Sequence, residues 1–418
     1  LHQWRGDEFQ TGLILARAAE KIGMILFAAR TSLLRVREGH GHHRVTFVEL
    51  FYDLVFVFAV TQLSHGLLGH LTPLGVLQTT ILMIAVWWAW IDAAWVTNWL
   101  DPDKPSVRLY LFALMLGGLV LSVSIPKAFE DRAVVFAVTY VTMQAGRNLF
   151  MLWALRRQDH GNFLNFVRIG LWHLADAMFW IAGCFVDGTE RIALWSVAAG
   201  IETLGPLCGF RVPGLGRSTT ADWTVEGGHM AERCGLFIII ALGESILITG
   251  ATFADLVWTP DVVAAFVMSF AGSVALWTVY FNIGSERASK QIASSADPGR
   301  LARSGYTYIH ITIVAGIIVT AVGDELVLHH PLGHADTKTA AVVLGGPALY
   351  LAGNSLFKRL SAPYFPLSHS VGLCLLVLLI AAAPFVSSLV LSASSTLVLI
   401  IVAVWEWLSL RQRGDTVP

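Results

Sequence analysis

The stretch HRVTFVELFYDLVFVFAVTQLSHGLL, from His43 to Leu68, decides the fold. Most of it is apolar over the roughly 20 residues a helix needs to cross about 30 Å of hydrocarbon. Yet it carries Glu49 and Asp53 near its start. Four residues is about one helical turn, so both carboxylates project from one face. An acid inside a bilayer costs about 2.5–3.5 kcal/mol or more unless it is paired, protonated or hydrated. A membrane helix with two acids on one face therefore needs partners elsewhere in the chain.

The rest of the sequence agrees that there is a bilayer. Of 418 residues, 55% are hydrophobic and only 14% charged, against roughly 25% charged in an average soluble domain. The mean hydropathy is +0.64. Apolar segments at 47–68, 74–97, 109–126, 133–154, 165–186, 191–208, 233–253, 262–282, 305–327, 339–357, 368–386 and 389–408 predict an all-α polytopic bundle of about twelve transmembrane helices. A closed barrel is excluded, because its strands would alternate and run only about ten residues.

Basic residues set the expected orientation. With a cytoplasmic N-terminus, 23 Lys and Arg residues fall inside and four outside (Lys127, Arg132, Arg191, Lys338), while Arg147 lies within a span. Both termini are thus expected in the cytoplasm. A net charge of −1 argues against a nucleic-acid surface, and Cys184, Cys208, Cys234 and Cys374 have no metal or disulfide spacing and read as small core residues. Thr11–Leu34 has charges spread through it and reads as an amphipathic surface helix rather than a span. No cleavable signal is evident.

The chain also resembles itself. AGRNLF at 145–150 recurs as AGNSLF at 352–357. Tyr110, Gly118 and Ser122 match Tyr308, Gly316 and Thr320; Trp88 matches Trp277; Glu202 matches Glu406. Matches in one order suggest duplication of a six-helix unit. The expected organisation is a tail at 1–46, one unit at 47–208, a linker at 209–228, a second unit at 229–410 and a tail at 411–418. Six is an even number, so the copies share one orientation about an axis along the membrane normal, where a substrate site would lie between halves.

Depth along the helices then ranks the polar residues. Asp53 and Arg147 lie at one level, which predicts that Arg147 pairs with Asp53 or with Glu49 and Asp53 together. Glu49, Asp53, Asp92, Asp176, Glu202 and Glu244 face that one intramembrane cation. The remaining acids must be protonated, hydrated or bound to a cation, as in a polar cavity facing the cytoplasm. In the second half Glu232 and Arg233 stand at the entrance as Glu49 does, and Gly243-Glu244-Ser245 aligns roughly with Thr61-Gln62. A glycine there suits either a locally opened helix exposing groups to a ligand or close helix packing.

Other chemistry is poorly represented. His40, His42 and His43 cluster inside, and His65, His70, His329, His330 and His334 lie outside with Asp324, Glu325 and Asp336, but no spacing matches a zinc motif, so no metal or other cofactor is expected. His173 and Asp176, three residues apart, suit a core hydrogen bond better than an acid–base pair. No phosphate-binding loop, HExxH motif or nucleophile elbow is present.

Two segments, RVTFVELFYDLVFVFAVTQLSHGL at 44–67 and HMAERCGLFIIIALGESILITG at 229–250, resemble the low temperature requirement protein A family of bacterial membrane proteins, and the span pattern agrees over roughly 44–410. The resemblance marks Glu49, Asp53, Gln62, His229, Glu232, Arg233, Gly243, Glu244 and Ser245 as signature positions. It implies a bacterial inner-membrane protein linked to growth in the cold. Cys234 stands where relatives often have an aromatic residue, and the N-terminal tail exceeds the family core. Two activities suit these features. One is a carrier that binds or moves a small solute, with proton coupling. The other is a membrane-embedded enzyme acting on a lipid or isoprenoid, its pocket lined by some of the 15 Trp and 23 Phe residues.

Overall fold

A computed structural model describes residues 32–35, 44–157, 159–222, 225–281, 295, 297–361 and 364–414. The expected amphipathic helix and the His40–His43 cluster lie outside these residues, apart from the stretch 32–34. The described chain forms twelve long helices: α1 (Phe47–Gly69), α2 (Pro73–Trp99), α3 (Pro105–Ser124), α4 (Ala133–Leu155), α5 (His160–Ala182), α6 (Gly188–Leu207), α7 (Gly227–Asp255), α8 (Pro260–Phe281), α9 (Pro298–His329), α10 (Thr337–Ser361), α11 (Leu367–Ala382) and α12 (Ser388–Gly414). Nine are long and apolar enough to cross a membrane. The other three, α4, α5 and α6, carry Gln144, Arg147, Asp176 and Glu202. Polar cargo, rather than shortness, lowers their hydropathy.

Local chemistry starts the helices. The Thr72 hydroxyl accepts from Gly75 N ahead of Pro73, Asp159 accepts from Asn162 N, and Asp297 accepts from Arg300 N ahead of Pro298. Each combination satisfies an N-terminal amide, and proline fits the first helical position. The last one starts α9 seven residues before the apolar segment at 305–327. The extra length includes a π-helical stretch, Arg303–Ile309. Such wide turns concentrate at functional sites.

The packing order of the first six helices recurs in the last six. α1 packs on α2 and α3, α3 on α4, α4 on α5, α5 on α6, and α2 on α4 and α6; α7 packs on α8 and α9, α9 on α10, α10 on α11, α11 on α12, and α8 on α10 and α12. Both α5 and α11 end in a 3₁₀ turn, Gly183–Phe185 and Ala383–Phe385. α9 and α10 approach closely: a Cβ at Gly316 would lie 2.6 Å from Tyr350 N, and one at Gly353 2.7 Å from the Ile313 side chain, the small-residue contact that lets membrane helices touch. Across the two sets, α1 packs on α7 and α9, and α2 on α7.

One end of the bundle gathers the N-terminal segment, where Leu34 bridges Leu100, and the α6–α7 linker, tied to Asn98 and Asp297. Trp90, Trp180 and Trp195 are fully buried, with Trp180 and Trp195 packed against each other. These fill the core. Cys234 is buried as expected, but Cys208 and Cys374 are exposed and Cys184 is half-buried.

Candidate functional site

Two buried polar clusters account for most of the acids. The first joins α1 to α7. Arg233, fully buried on α7, reaches Asp53 at 2.5 Å, Glu49 at 3.3 Å and the Thr97 hydroxyl at 3.2 Å. Its guanidinium also stands over the Tyr52 and Trp90 rings, and Trp90 donates to Asp53 at 2.7 Å. Arg35, from the segment before α1, reaches Glu49 at 3.1 Å. Two carboxylates thus face two guanidiniums.

Histidine 229 completes the cluster without adding charge. The backbone N–H of Glu226 donates to Asn98 Oδ1, which turns the Asn98 amide nitrogen toward His229 Nδ1 at 3.3 Å. Nδ1 is then the acceptor, and Nε2–H donates to Glu49 at 2.8 Å. This assigns the neutral tautomer from its neighbours. The cluster is buried and charge-balanced, the arrangement of a lock between helices.

The expected pairing of Arg147 with Asp53 is therefore replaced. Depth alone placed them level, but α4 packs against α2, α3 and α5, and α7 rather than α4 stands against α1. Arg233, counted with the headgroup cations because it opens the apolar run, is the true partner.

Arg147 anchors the second cluster instead. It lies 2.8 Å from Asp92 on α2, donates to Gln144 and donates to His173 Nε2 at 2.9 Å. His173 Nδ1–H then donates to Asp176 at 3.2 Å, the core hydrogen bond expected from their spacing. Glu202 accepts from Tyr140 and from Gln144. His173, Asp176 and Glu202 bring one ligand atom each within 4.8 Å of one another. Arg147 fills the ring's unprotonated nitrogen, however, so in this arrangement His173 has no lone pair left for a metal ion.

This second cluster opens to a cavity of about 90 Å³. Asp92, Arg147, His173 and Glu202 form its inner wall, and Trp88, Trp95 and Trp99 supply aromatic faces. Arg303 and Thr307, one turn apart on the π-helical stretch, complete the far side. The wide turn is pinned by two indoles: Trp87 donates to the Thr307 carbonyl at 2.7 Å and Trp95 to its hydroxyl at 2.9 Å.

The linker covers this cavity. Gly209, at φ 60°, reverses the chain where a Cβ would lie 2.4 Å from the Ser218 carbonyl. Arg168 holds Leu215 O, Ser218 bonds Asn165 and Thr220 donates to Asp297 at 2.6 Å. The Thr220 hydroxyl holds Asp297, which precedes α9, below the usual carboxylate range.

The second six helices hold a counterpart. Lys358 on α10 reaches Glu406 on α12 at 2.6 Å and stands 3.3 Å from His369 on α11. Cation, histidine and glutamate thus occupy the fourth, fifth and sixth helices of both sets.

The remaining candidates join neither cluster. Glu244 bonds the Thr61 hydroxyl at the α1–α7 contact. Ser245 is buried, Gln62 half-buried, and exposed Glu232 accepts from Val45 N at 3.1 Å. Gly243 bears out neither reading, since α7 is continuous and a Cβ there would meet nothing within 4 Å. Arg35, Arg303 and Thr307 escaped the sequence reading, the first two because they were counted as loop charges.

The model of the bacterial low temperature requirement A protein family matches residues 44–404. An uncharacterized protein of Rhizobium meliloti (strain 1021) is 40% identical over 379 residues, 90% of this chain and 92% of the relative. No solved structure matches the chain.

Proposed function

The chain belongs to the bacterial low temperature requirement A family, and from that premise we propose that it is a carrier, binding a small polar solute in the Asp92–Arg147 cavity and passing it across the bacterial inner membrane. The observation that carries the reading is the opening of the buried Arg147 cluster to a cavity among apolar helices. Asp92 keeps 19% of its side chain exposed there while paired with Arg147. A charged group kept reachable at membrane depth is a functional signature, because sealing it costs nothing in sequence terms and leaving it open has a use.

A duplicated architecture supports the same reading. Thr61 and Glu244, which fall together when the two halves are aligned, touch each other, as positions beside a twofold axis do. With both termini in the cytoplasm, the linker-covered cavity faces the cytoplasm. Arg147 pairs with Asp92 alone, while Asp176 and Glu202 meet neutral donors, so the charge balance of the cluster needs protons or a cationic group of the solute, which supports proton coupling.

The test uses the cavity's own tryptophans. Purified protein is titrated with small amino acids, amines and carboxylates while Trp fluorescence is followed, and uptake of each hit into proteoliposomes is measured with and without a pH gradient. Saturable binding and uptake, both reduced at least tenfold in Asp92→Asn, fit the carrier. A lipid retained in the cavity, with no solute bound, would overturn it in favour of an enzyme acting on lipid.

A further inference from the structure

The second six helices contain a buried acid that has no cation beside it among the described residues. Asp324 on α9, five residues before the helix ends at His329, is 8% exposed. Among the described residues no basic side chain lies within ion-pair distance of it. Ser269 on α8 lies close enough to the carboxylate to act on it. The Ser269 hydroxyl oxygen is buried and has no hydrogen-bond partner.

Neighbouring helices bring further oxygens to this level. α8, α9 and α12 pack against one another, and α8 and α12 run in the same direction. A Cβ at Gly272 would lie 3.3 Å from Thr396 Oγ1, so these positions face each other. One turn back along each helix sets Ser392 level with Ser269. Ser273, Ser392 and Thr396 are all buried.

Charge and donor type narrow the occupant. An isolated carboxylate in such a setting carries a desolvation penalty of several kcal/mol, and one positive charge cancels it. Calcium sites usually recruit several carboxylates. Soft transition metals favour sulfur and nitrogen, whereas hydroxyl and carboxylate oxygens suit a hard cation. A proton would need one lone pair; here buried hydroxyls lie on two facing helices, both packed against the helix that carries the acid.

We propose that Asp324 and Ser269, with the hydroxyls of Ser392 and Thr396 on the facing helix, form a site for a monovalent cation, Na⁺, in the half of the membrane away from the linker. The site is separate from the cavity on the linker face and does not depend on what that cavity binds.

The experiment measures ²²Na⁺ binding by the detergent-purified full chain, and its melting temperature as NaCl replaces choline chloride at constant ionic strength and pH. Wild type is expected to bind about one Na⁺ and to gain melting temperature until saturation, with KCl giving a smaller gain. Asp324→Asn is expected to lose both responses, yet to melt in choline chloride no lower than wild type, since it removes an uncompensated charge. Ser269→Ala should raise the half-saturating Na⁺ concentration about tenfold, and reads the site even where the aspartate variant does not fold. Absence of ²²Na⁺ binding by wild type would overturn the proposal. So would a stabilisation reproduced by acid alone in choline chloride, which would assign Asp324 a proton instead.

Discussion

Replacing Arg233 by methionine removes the cation that two buried carboxylates share while keeping much of the side chain's volume. Asp53 then has only the Trp90 indole for a partner, and Glu49 keeps Arg35 and His229. Breaking one buried ion pair by deleting a partner costs about 3–5 kcal/mol. Because the guanidinium serves two acids and two aromatic faces, the upper end applies. At about 2 °C per kcal/mol, the low end of the usual range because the chain is long, the melting temperature should fall by roughly 10 °C. Asp53→Asn alone should cost less, because its amide oxygen still accepts from Trp90. The double variant should recover about 2 kcal/mol of the sum, since neutralising the orphaned acid removes most of the penalty. The assay is a double-mutant cycle by fluorescence-detected melting in detergent. Additive single effects, or a wild-type melting temperature for Arg233→Met, would refute the lock between α1 and α7.

Arg147→Gln should lower stability by about 3–5 kcal/mol and reduce solute binding at least tenfold; unchanged melting with full binding would remove Arg147 from both roles. Lys358→Met should destabilise by about 3 kcal/mol, with Lys358→Met/Glu406→Gln regaining most of it; a double variant that loses the sum of the two single losses would show that the pair carries no coupling. The Thr220–Asp297 bond gives the linker a pH dependence. A depressed native pKa contributes stability that is complete above the ordinary carboxylate value of about 3.9 and is lost as pH falls through the lower native value. Hydrogen exchange of residues 209–222, corrected for intrinsic rate, should therefore accelerate below about pH 4, and already at pH 7 in Thr220→Val. Linker exchange insensitive to both changes would mean that another contact holds it.

The sequence disclosed helices more readily than neighbours. Apolar runs at 47–68 and 133–154 correspond to helices at Phe47–Gly69 and Ala133–Leu155, because length and hydropathy are local properties. Pairing is not local. Depth placed Asp53 and Arg147 level, but which helix stands beside α1 depends on the packing of all twelve. Arg233 misled for a related reason: at the edge of an apolar run, a snorkelling arginine and a buried one look alike. The Asp297-Pro298 helix start was a legible signal, and it would have revealed the extra turns that carry Arg303 to the cavity. Arg35 offered none, since only the folded path of residues 32–35 along α2 brings it to Glu49.

Arg35 and Glu406 share a property of another kind. The family match spans 44–404, so both lie just beyond its edges, and each closes a buried ion pair whose other member lies within. A polypeptide trimmed to the stretch its relatives define would keep eleven helices whole, lose the end of α12, and take Glu406 from Lys358 and one counterion from Glu49. For this protein the limits of likeness and the limits of electrical neutrality differ by a few residues at either end. Truncation should be guided by the second.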